Sequence, residues 1–149
     1  MIVKTDFDTI KSIWSEHLWP NRVSKIEPHS AMLLDGTYDM KNFDYPATFL
    51  LYYDNDKIAG CNSGHMCSDN TYRSRGLYVF PEYRKKGYGK ILLEHTINIG
   101  KQEHAKSVWS YPRFESWSTY KSAGFELLGD WEKSETGTNA YCILKCQYQ

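Results

Sequence analysis

The stretch from Gly76 to Glu94, GLYVFPEYRKKGYGKILLE, constrains the fold more than any other part of the chain. It predicts a strand ending at Val79–Phe80, a turn at Pro81–Glu82, the basic loop Arg84-Lys85-Lys86-Gly87-Tyr88-Gly89, and an apolar-striped helix from about Lys90. A strand that delivers a glycine loop to a helix start builds an anion site. The first backbone N–H groups of a helix lack internal partners, and the helix dipole favours negative charge there. Gly87 and Gly89 let the backbone approach an anion without Cβ obstruction, so successive N–H groups can cradle a phosphate or pyrophosphate. Taken alone, the same loop also describes an exposed basic helix start with two incidental glycines. Neither G-x-x-x-x-G-K-[ST] nor G-x-G-x-x-G occurs, which argues against P-loop and Rossmann-type nucleotide sites.

The rest of the chain is ordered around this unit. A brief strand fits Ile2–Lys4. A helix follows from Asp6 to about Leu18, capped by Thr5 or Asp6, with Phe7, Ile10, Ile13, Trp14 and Leu18 on one stripe; Pro20 ends it. Asn21–Pro46 carries little pattern. Val23 and Ile26 suggest a second short helix, Ser30–Leu34 a turn, and the remainder a loop of the kind that shapes binding sites. Ala47–Tyr53 and Lys57–Met66 form a hairpin around Asp54-Asn55-Asp56, and Ser68-Asp69-Asn70 turns the chain into a fourth strand, Tyr72–Phe80. Gly76 inside that strand predicts a bulge or a close backbone approach. The helix after the basic loop runs from about Gly87 to His104. Ser107–Tyr111 is then a short strand, parallel to the fourth because a helical crossover joins them. Phe114–Ala123 reads as a helix stopped by Gly124, and Phe125–Lys133 with Asn139–Gln147 as a last hairpin. The sum is one domain over residues 1–149 with an α/β (α+β) fold, a mixed sheet flanked by helices.

Composition narrows the function classes. Eighteen basic and eighteen acidic residues cancel, so bulk charge gives nucleic-acid binding no support, and Arg84–Lys86 is a local feature on a neutral background. No apolar run approaches the roughly 20 residues of a membrane span, and the start MIVKTDFD has no signal-peptide core, so a cytoplasmic protein is expected. The cysteines, Cys61, Cys67, Cys142 and Cys146, contain no C-x-x-C pair; buried reduced thiols and no metal are expected. Aromatic residues, 15% of the chain, suit pockets and interfaces, a homodimer included.

A second feature lies downstream: Tyr120-Lys121-Ser122-Ala123-Gly124-Phe125, by itself an amphipathic helix end with a glycine stop. In combination, Leu77-x-Val79-x-Pro81-Glu82-Tyr83-Arg84-x-x-Gly87-x-Gly89 followed by Tyr120-x-x-x-Gly124-Phe125 resembles the signature of the GNAT family of N-acetyltransferases. The order of strands and helices is similar too. The resemblance implies a mostly antiparallel sheet splayed between the fourth and fifth strands, with acetyl-CoA as co-substrate and an amine as acceptor. It implies that the pyrophosphate sits on the backbone from Arg84 through Lys85, Lys86, Gly87 and Tyr88 to Gly89 and on the helix start at Lys90. The pantetheine arm would run along Val79, and the backbone N–H near Leu77 or Tyr78 would hold the acetyl carbonyl. Tyr120 would protonate the departing CoA thiolate, a role that suits a phenol, which stays protonated at neutral pH. A neutral amine would attack the thioester directly, without an acyl-enzyme, since no cysteine matches a family nucleophile.

Two departures from the family pattern matter. Arg113, after Pro112, stands where many members carry an Asn, so a CoA contact is altered or Arg113 supplies another. The fourth strand, Tyr72-Arg73-Ser74-Arg75-Gly76, has no acid where many members carry a glutamate that draws the proton from the amine. His65, Asp69 and Glu82 are the candidate bases, with a solvent chain as the other route; His65 also reads as a satisfied polar residue and Glu82 as part of a turn. Arg73 and Arg75 share strand parity with Leu77 and Val79. Either they reach solvent at the strand end, or one of them, Arg75 by preference, meets a carboxylate on the acceptor. A CoA-binding module without turnover and a nucleic-acid binder using Arg84–Lys86 are the rival functions. Choice of acceptor is left to Asn21–Pro46 and the last hairpin.

Overall fold

The computed structural model describes residues 1–148. Nine strands form among the described residues: β1 (Ile2–Thr5), β2 (Ala47–Asp54), β3 (Lys57–Met66), β4 (Tyr72–Val79), β5 (Ser107–Ser110), β6 (Glu126–Leu127), β7 (Glu132–Ser134), β8 (Gly137–Asn139) and β9 (Cys142–Lys145). Seven of them make one sheet in the order β1-β2-β3-β4-β5-β9-β6, while β7 and β8 pair separately. Every pairing is antiparallel except β4 with β5, which the crossover helix α2 (Tyr88–Gln102) makes parallel.

The two faces of the sheet carry separate cores. On one, Ile10, Ile13, Trp14 and Leu18 pack on Phe49, Leu51, Cys61 and Tyr78. Ile10 and Ile13 come from α1 (Phe7–Ile13), whose cap Asp6 accepts the Thr9 N–H at 2.9 Å. The helix continues to Leu18 in wider turns, with Trp19 N–H donating to Trp14 O at 2.7 Å. That i→i+5 step keeps both Trp14 and Leu18 buried before Pro20 ends the run. On the other face, Leu93 and Ile97 of α2 pack with Tyr72, Val108, Phe125 and Tyr120 of α3 (Trp117–Ser122).

Gly76 does what its place in the strand predicts. Ser63 pairs with Arg75 and Cys61 with Tyr78, so Gly76 and Leu77 together oppose Asn62 alone. Gly76 has φ 81°, and a Cβ there would lie 2.3 Å from the Trp14 indole. The indole Nε1 donates to the Gly76 carbonyl at 2.8 Å. This bulge overturns the parity expected for β4. Arg75 lies against Trp14 on the α1 side, as Tyr78 does, while Leu77 turns to the core of α2 and α3.

The sheet is splayed where the family resemblance implies. β4 pairs with β5 only through Tyr72–Val108 and Arg73–Trp109. At the point of divergence the Ser110 hydroxyl donates to Ser74 O at 2.8 Å, and a side chain takes over from the ladder.

Three expectations fail for long-range reasons. No helix forms at Val23 and Ile26, because the amides of Val23 and Ser24 donate to the Glu135 carboxylate at 2.7 and 2.8 Å. The segment 30–44 is instead anchored by fully buried Asn42, which donates to Ser30 O and Met32 O and accepts the Ser68 N–H. The last hairpin is not one hairpin: β6 pairs with β9, and the chain between them folds into the separate β7–β8 pair. The helix expected from Phe114 starts as a tighter turn over Phe114–Ser116, with α3 proper only from Trp117, and Phe114 remains exposed.

Gly76→Ala tests the bulge. Its positive φ and the indole at 2.3 Å predict a loss of about 3 kcal/mol in unfolding free energy by urea titration. An unchanged midpoint would refute the Trp14–Gly76 lock.

Candidate active site

Three adjoining hollows follow from the splay. The largest, about 500 Å³, lies between β4, the basic loop and α3. Leu77, Tyr78 and Val79 form one wall and Arg113 with the polar face of α3 the other. Arg84, Lys85, Gly87, Tyr88, Gly89 and Lys90 line it from the loop and helix start. Lys85 and Gly87 both have positive φ, at 65° and 83°. Gly87 caps α2 with open space where a Cβ would stand. Its carbonyl accepts the Ile91 N–H, so the amides of Tyr88, Gly89 and Lys90 fall in the turn that has no internal acceptor. The cleft therefore joins an unpaired strand edge to a cationic helix start, a shape and charge suited to an extended molecule with an anionic end.

Not every cation of the loop faces this cleft. Lys86 is absent from its lining; the ammonium lies 3.9 Å from Asp54 Oδ2 and over the Tyr83 ring. Tyr88 donates to the same carboxylate at 2.7 Å and stacks on Tyr52, which pins the helix start to the β2–β3 turn. Arg84 bends back, with Nε donating to Val79 O at 2.8 Å.

A narrow neck of about 50 Å³ adjoins the cleft, and Leu77, Arg113 and Ser116 line both. Tyr120 stands in the neck, 3% exposed. Burial pushes its phenol well above the usual value, and the Ser110 hydroxyl offsets that only in part. Beyond the neck a third hollow of about 330 Å³ shares Trp19, Arg73, Tyr111 and Asn139 with it. Its other walls come from the two stretches with the least sequence pattern, through Arg22, Met32 and Tyr38 on one side and Glu135 on the other. Arg75 lines it too. Neither Arg73 nor Arg75 reaches solvent at a strand end; they are 7% and 4% exposed.

The three candidate bases lie elsewhere. His65 is buried, with Nε2 accepting the Ser30 N–H at 3.2 Å, so Nδ1 carries the proton and donates to Met66 O at 2.9 Å. Asp69 accepts from the backbone and hydroxyl of Thr71, and Glu82 is exposed in the turn after β4. Among the described residues none of the three lines a hollow, and no carboxylate lines the neck. The thiols of Cys61 and Cys142 are pushed up to about 12 by burial and that of Cys67 to about 11, so none of these three is a thiolate at neutral pH. No cluster of three or more His, Cys, Asp or Glu suited to a metal ion occurs among the described residues. No helix among them is long and apolar enough to cross a membrane.

Residues 11–125 match the model of the Acetyltransferase (GNAT) family. The chain belongs to the GNAT family. It is 31% identical over 126 residues to YfmK of Bacillus subtilis (strain 168), described as an uncharacterized N-acetyltransferase, with 82% of each chain covered. Its fold is shared with a Bacillus subtilis acetyltransferase solved in complex with CoA, at TM-score 0.64 and 14% identity over 98% of both chains. An aminoglycoside 6'-N-acetyltransferase complexed with coenzyme A gives TM-score 0.69 at 10% identity, covering 97% of this chain and 96% of that one. Of the signature residues, Leu77, Val79, Tyr83, Arg84, Gly87 and Gly89 line the cleft and Leu77 and Tyr120 the neck, while Pro81, Glu82, Gly124 and Phe125 line neither. Ser118, Thr119 and Ser122 line the cleft from the polar side of α3, with Ser116 just before it; the i, i+4 spacing of Ser118 and Ser122, turned away from the Tyr120 face, was a legible signal. Trp19, Arg22, Tyr111, Glu135 and Asn139 in the third hollow left no such signal.

His65 yields a pH prediction. Burial lowers its pKa from 6.5 to about 3, so below pH 6.5 the unfolded chain takes up a proton that the folded one refuses. Stability therefore falls on acidification through that window, by at most about 1.4 kcal/mol per pH unit for this group. His65→Gln should lack this component, so its unfolding free energy gains on the wild type between roughly pH 7 and pH 5. Parallel curves would refute the neutral buried imidazole.

Proposed function

We propose that this GNAT acetyltransferase moves an acetyl group from acetyl-CoA to a primary amine, of a small molecule or a protein, by direct attack. The observation that carries this is the position of Tyr120 in the neck between the two larger hollows. The CoA complexes of the two structural relatives support the cleft as the donor side. There the amides at Tyr88–Lys90, with Lys85 and Lys90 beside them, receive the pyrophosphate, and the open edge of β4 near Val79 receives the pantetheine arm. The bulge at Gly76–Leu77 takes backbone out of the ladder and offers an N–H to the acetyl oxygen as it gains charge.

Tyr120 supplies the proton for the leaving thiolate. A phenol raised by burial is a weak acid, but a thiolate leaving in the same dry neck is raised by the same desolvation, so the two stay matched. No step needs an enzyme thiolate. The amine sheds its proton to solvent through the third hollow, since no carboxylate lines the neck among the described residues.

Tyr120→Phe should lower kcat by roughly 10²-fold while the acetyl-CoA dissociation constant changes less than about twofold. Unchanged kcat in single-turnover experiments removes Tyr120 from this role. Acetyl-CoA binding without CoA release on any of a broad amine panel would leave a binding module in place of an enzyme.

A further inference from the structure

Arg73 and Arg75 are anomalous in a central strand. Both are more than nine-tenths buried, and neither lies within ion-pair distance of a carboxylate among the described residues. A guanidinium has five donors. Arg73 directs Nε to Ser74 O at 3.2 Å and Nη1 to Met32 Sδ at 3.9 Å, a weak acceptor. Arg75 gives Nη1 to Glu27 O at 2.8 Å. Both guanidiniums lie over indoles: Arg73 is 4.5 Å from the Trp109 centroid, and Arg75 is 5.1 and 5.2 Å from those of Trp14 and Trp19. These contacts hold the two groups in place and leave donors unspent.

The charges gather on one side of one cavity. Arg22, Arg73 and Arg75 all line the hollow of about 330 Å³ beyond the neck. Burial holds Arg75 well below the usual arginine range, and Arg73 and Arg22 push the same way; Glu27 opposes them. Glu135 is the one carboxylate in the lining among the described residues. Its oxygens already accept from Val23 N, Ser24 N and Ser24 Oγ. The Glu27 side chain faces Lys25 at the surface. Like charges gathered together are costly, and among the described residues Glu135 beside Arg22 and Glu27 beside Arg75 offset them only in part. A ligand can supply the rest.

The same hollow opens on Tyr120 through the shared residues Trp19, Arg73, Tyr111 and Asn139. A molecule seated in it therefore presents one end to the neck and the other to the arginines. We propose that the acetyl acceptor is a small amine that carries a carboxylate, which Arg75 and Arg73 receive in the third hollow while Arg22 closes its mouth. The inference rests on the neck as the place of transfer. Planar guanidiniums fixed on aromatic rings suit the flat fork of a carboxylate, and a volume of about 330 Å³, some ten waters' worth, suits a small molecule.

The test uses the whole protein loaded with CoA and pairs of α- and ω-amino acids with their carboxamide twins. Calorimetry reads binding directly, so the outcome does not depend on turnover, and CoA release is followed in parallel. For at least one pair the acid should bind about tenfold or more tightly than its amide. Arg75→Gln and the less buried Arg22→Gln should each erode that preference, with acetyl-CoA affinity unchanged as the sign of an intact fold. Equal binding within every pair, no binding of any acid, or a preference retained in both variants overturns the proposal. Tighter binding of an aminoalkyl phosphate than of the matching amino acid overturns the assignment to a carboxylate. Turnover of acids and amides alike would sink this inference and leave the acetyltransferase reading standing, whereas acids bound without CoA release would do the reverse.

Discussion

The contact between the Trp14 indole and Gly76 is the constraint on which the site depends. The indole hydrogen-bonds the Gly76 carbonyl and fills the space a Cβ would need. It holds two residues of β4 against one of β3. Without that offset Leu77 would stay on the face of Arg75, and the strand could continue its ladder with β5. With it, apolar Leu77 joins the core under α2, Arg75 remains with the tryptophans, and backbone is freed at the mouth of the neck. One helix residue and one glycine, 62 positions apart in sequence, thus set the separation of the hollows.

The two ends of the site would handle negative charge by opposite physics. On the proposed donor side the charge would meet exposed backbone amides and lysines at a helix start, where water competes and salt screens. On the far side it would meet guanidiniums dried by tryptophan, where each interaction is stronger and an empty site costs more. Lys86 belongs to neither; Asp54 draws it to the outer side of the loop, where it steadies the β2–β3 turn together with Tyr88.

What the sequence made legible was local. The strand–turn–glycine-loop–helix unit can be read because each step is dictated by neighbours: Pro81 for the turn, Gly87 for the left-handed cap, the apolar stripe for α2. Gly76 announced a bulge, and Tyr120 was found by its distance from Gly124-Phe125. The third hollow was illegible because it is built by contacts between remote segments. Glu135 reaches back 112 residues to the Val23 amide, and that bond also removes the helix that Val23 and Ile26 suggested. Asn42 looked like loop sequence, yet it is the buried peg that fixes 30–44. The parity that Arg73 and Arg75 would share with Leu77 and Val79 breaks after Arg75, because a period of two does not survive an extra residue.

The short pairing of β4 with β5 has one more consequence. An unpaired strand edge is ordinarily a hazard, a template on which a neighbouring molecule can add its own strand and begin an aggregate. In this chain the open edge lies in the middle of the sheet rather than at its rim, flanked by β3 on one side and by β5, β9 and β6 on the other. A second sheet cannot slide into such a slot, but a single slender chain can. The chain can thus leave backbone unpaired along its binding cleft with little risk of self-association there.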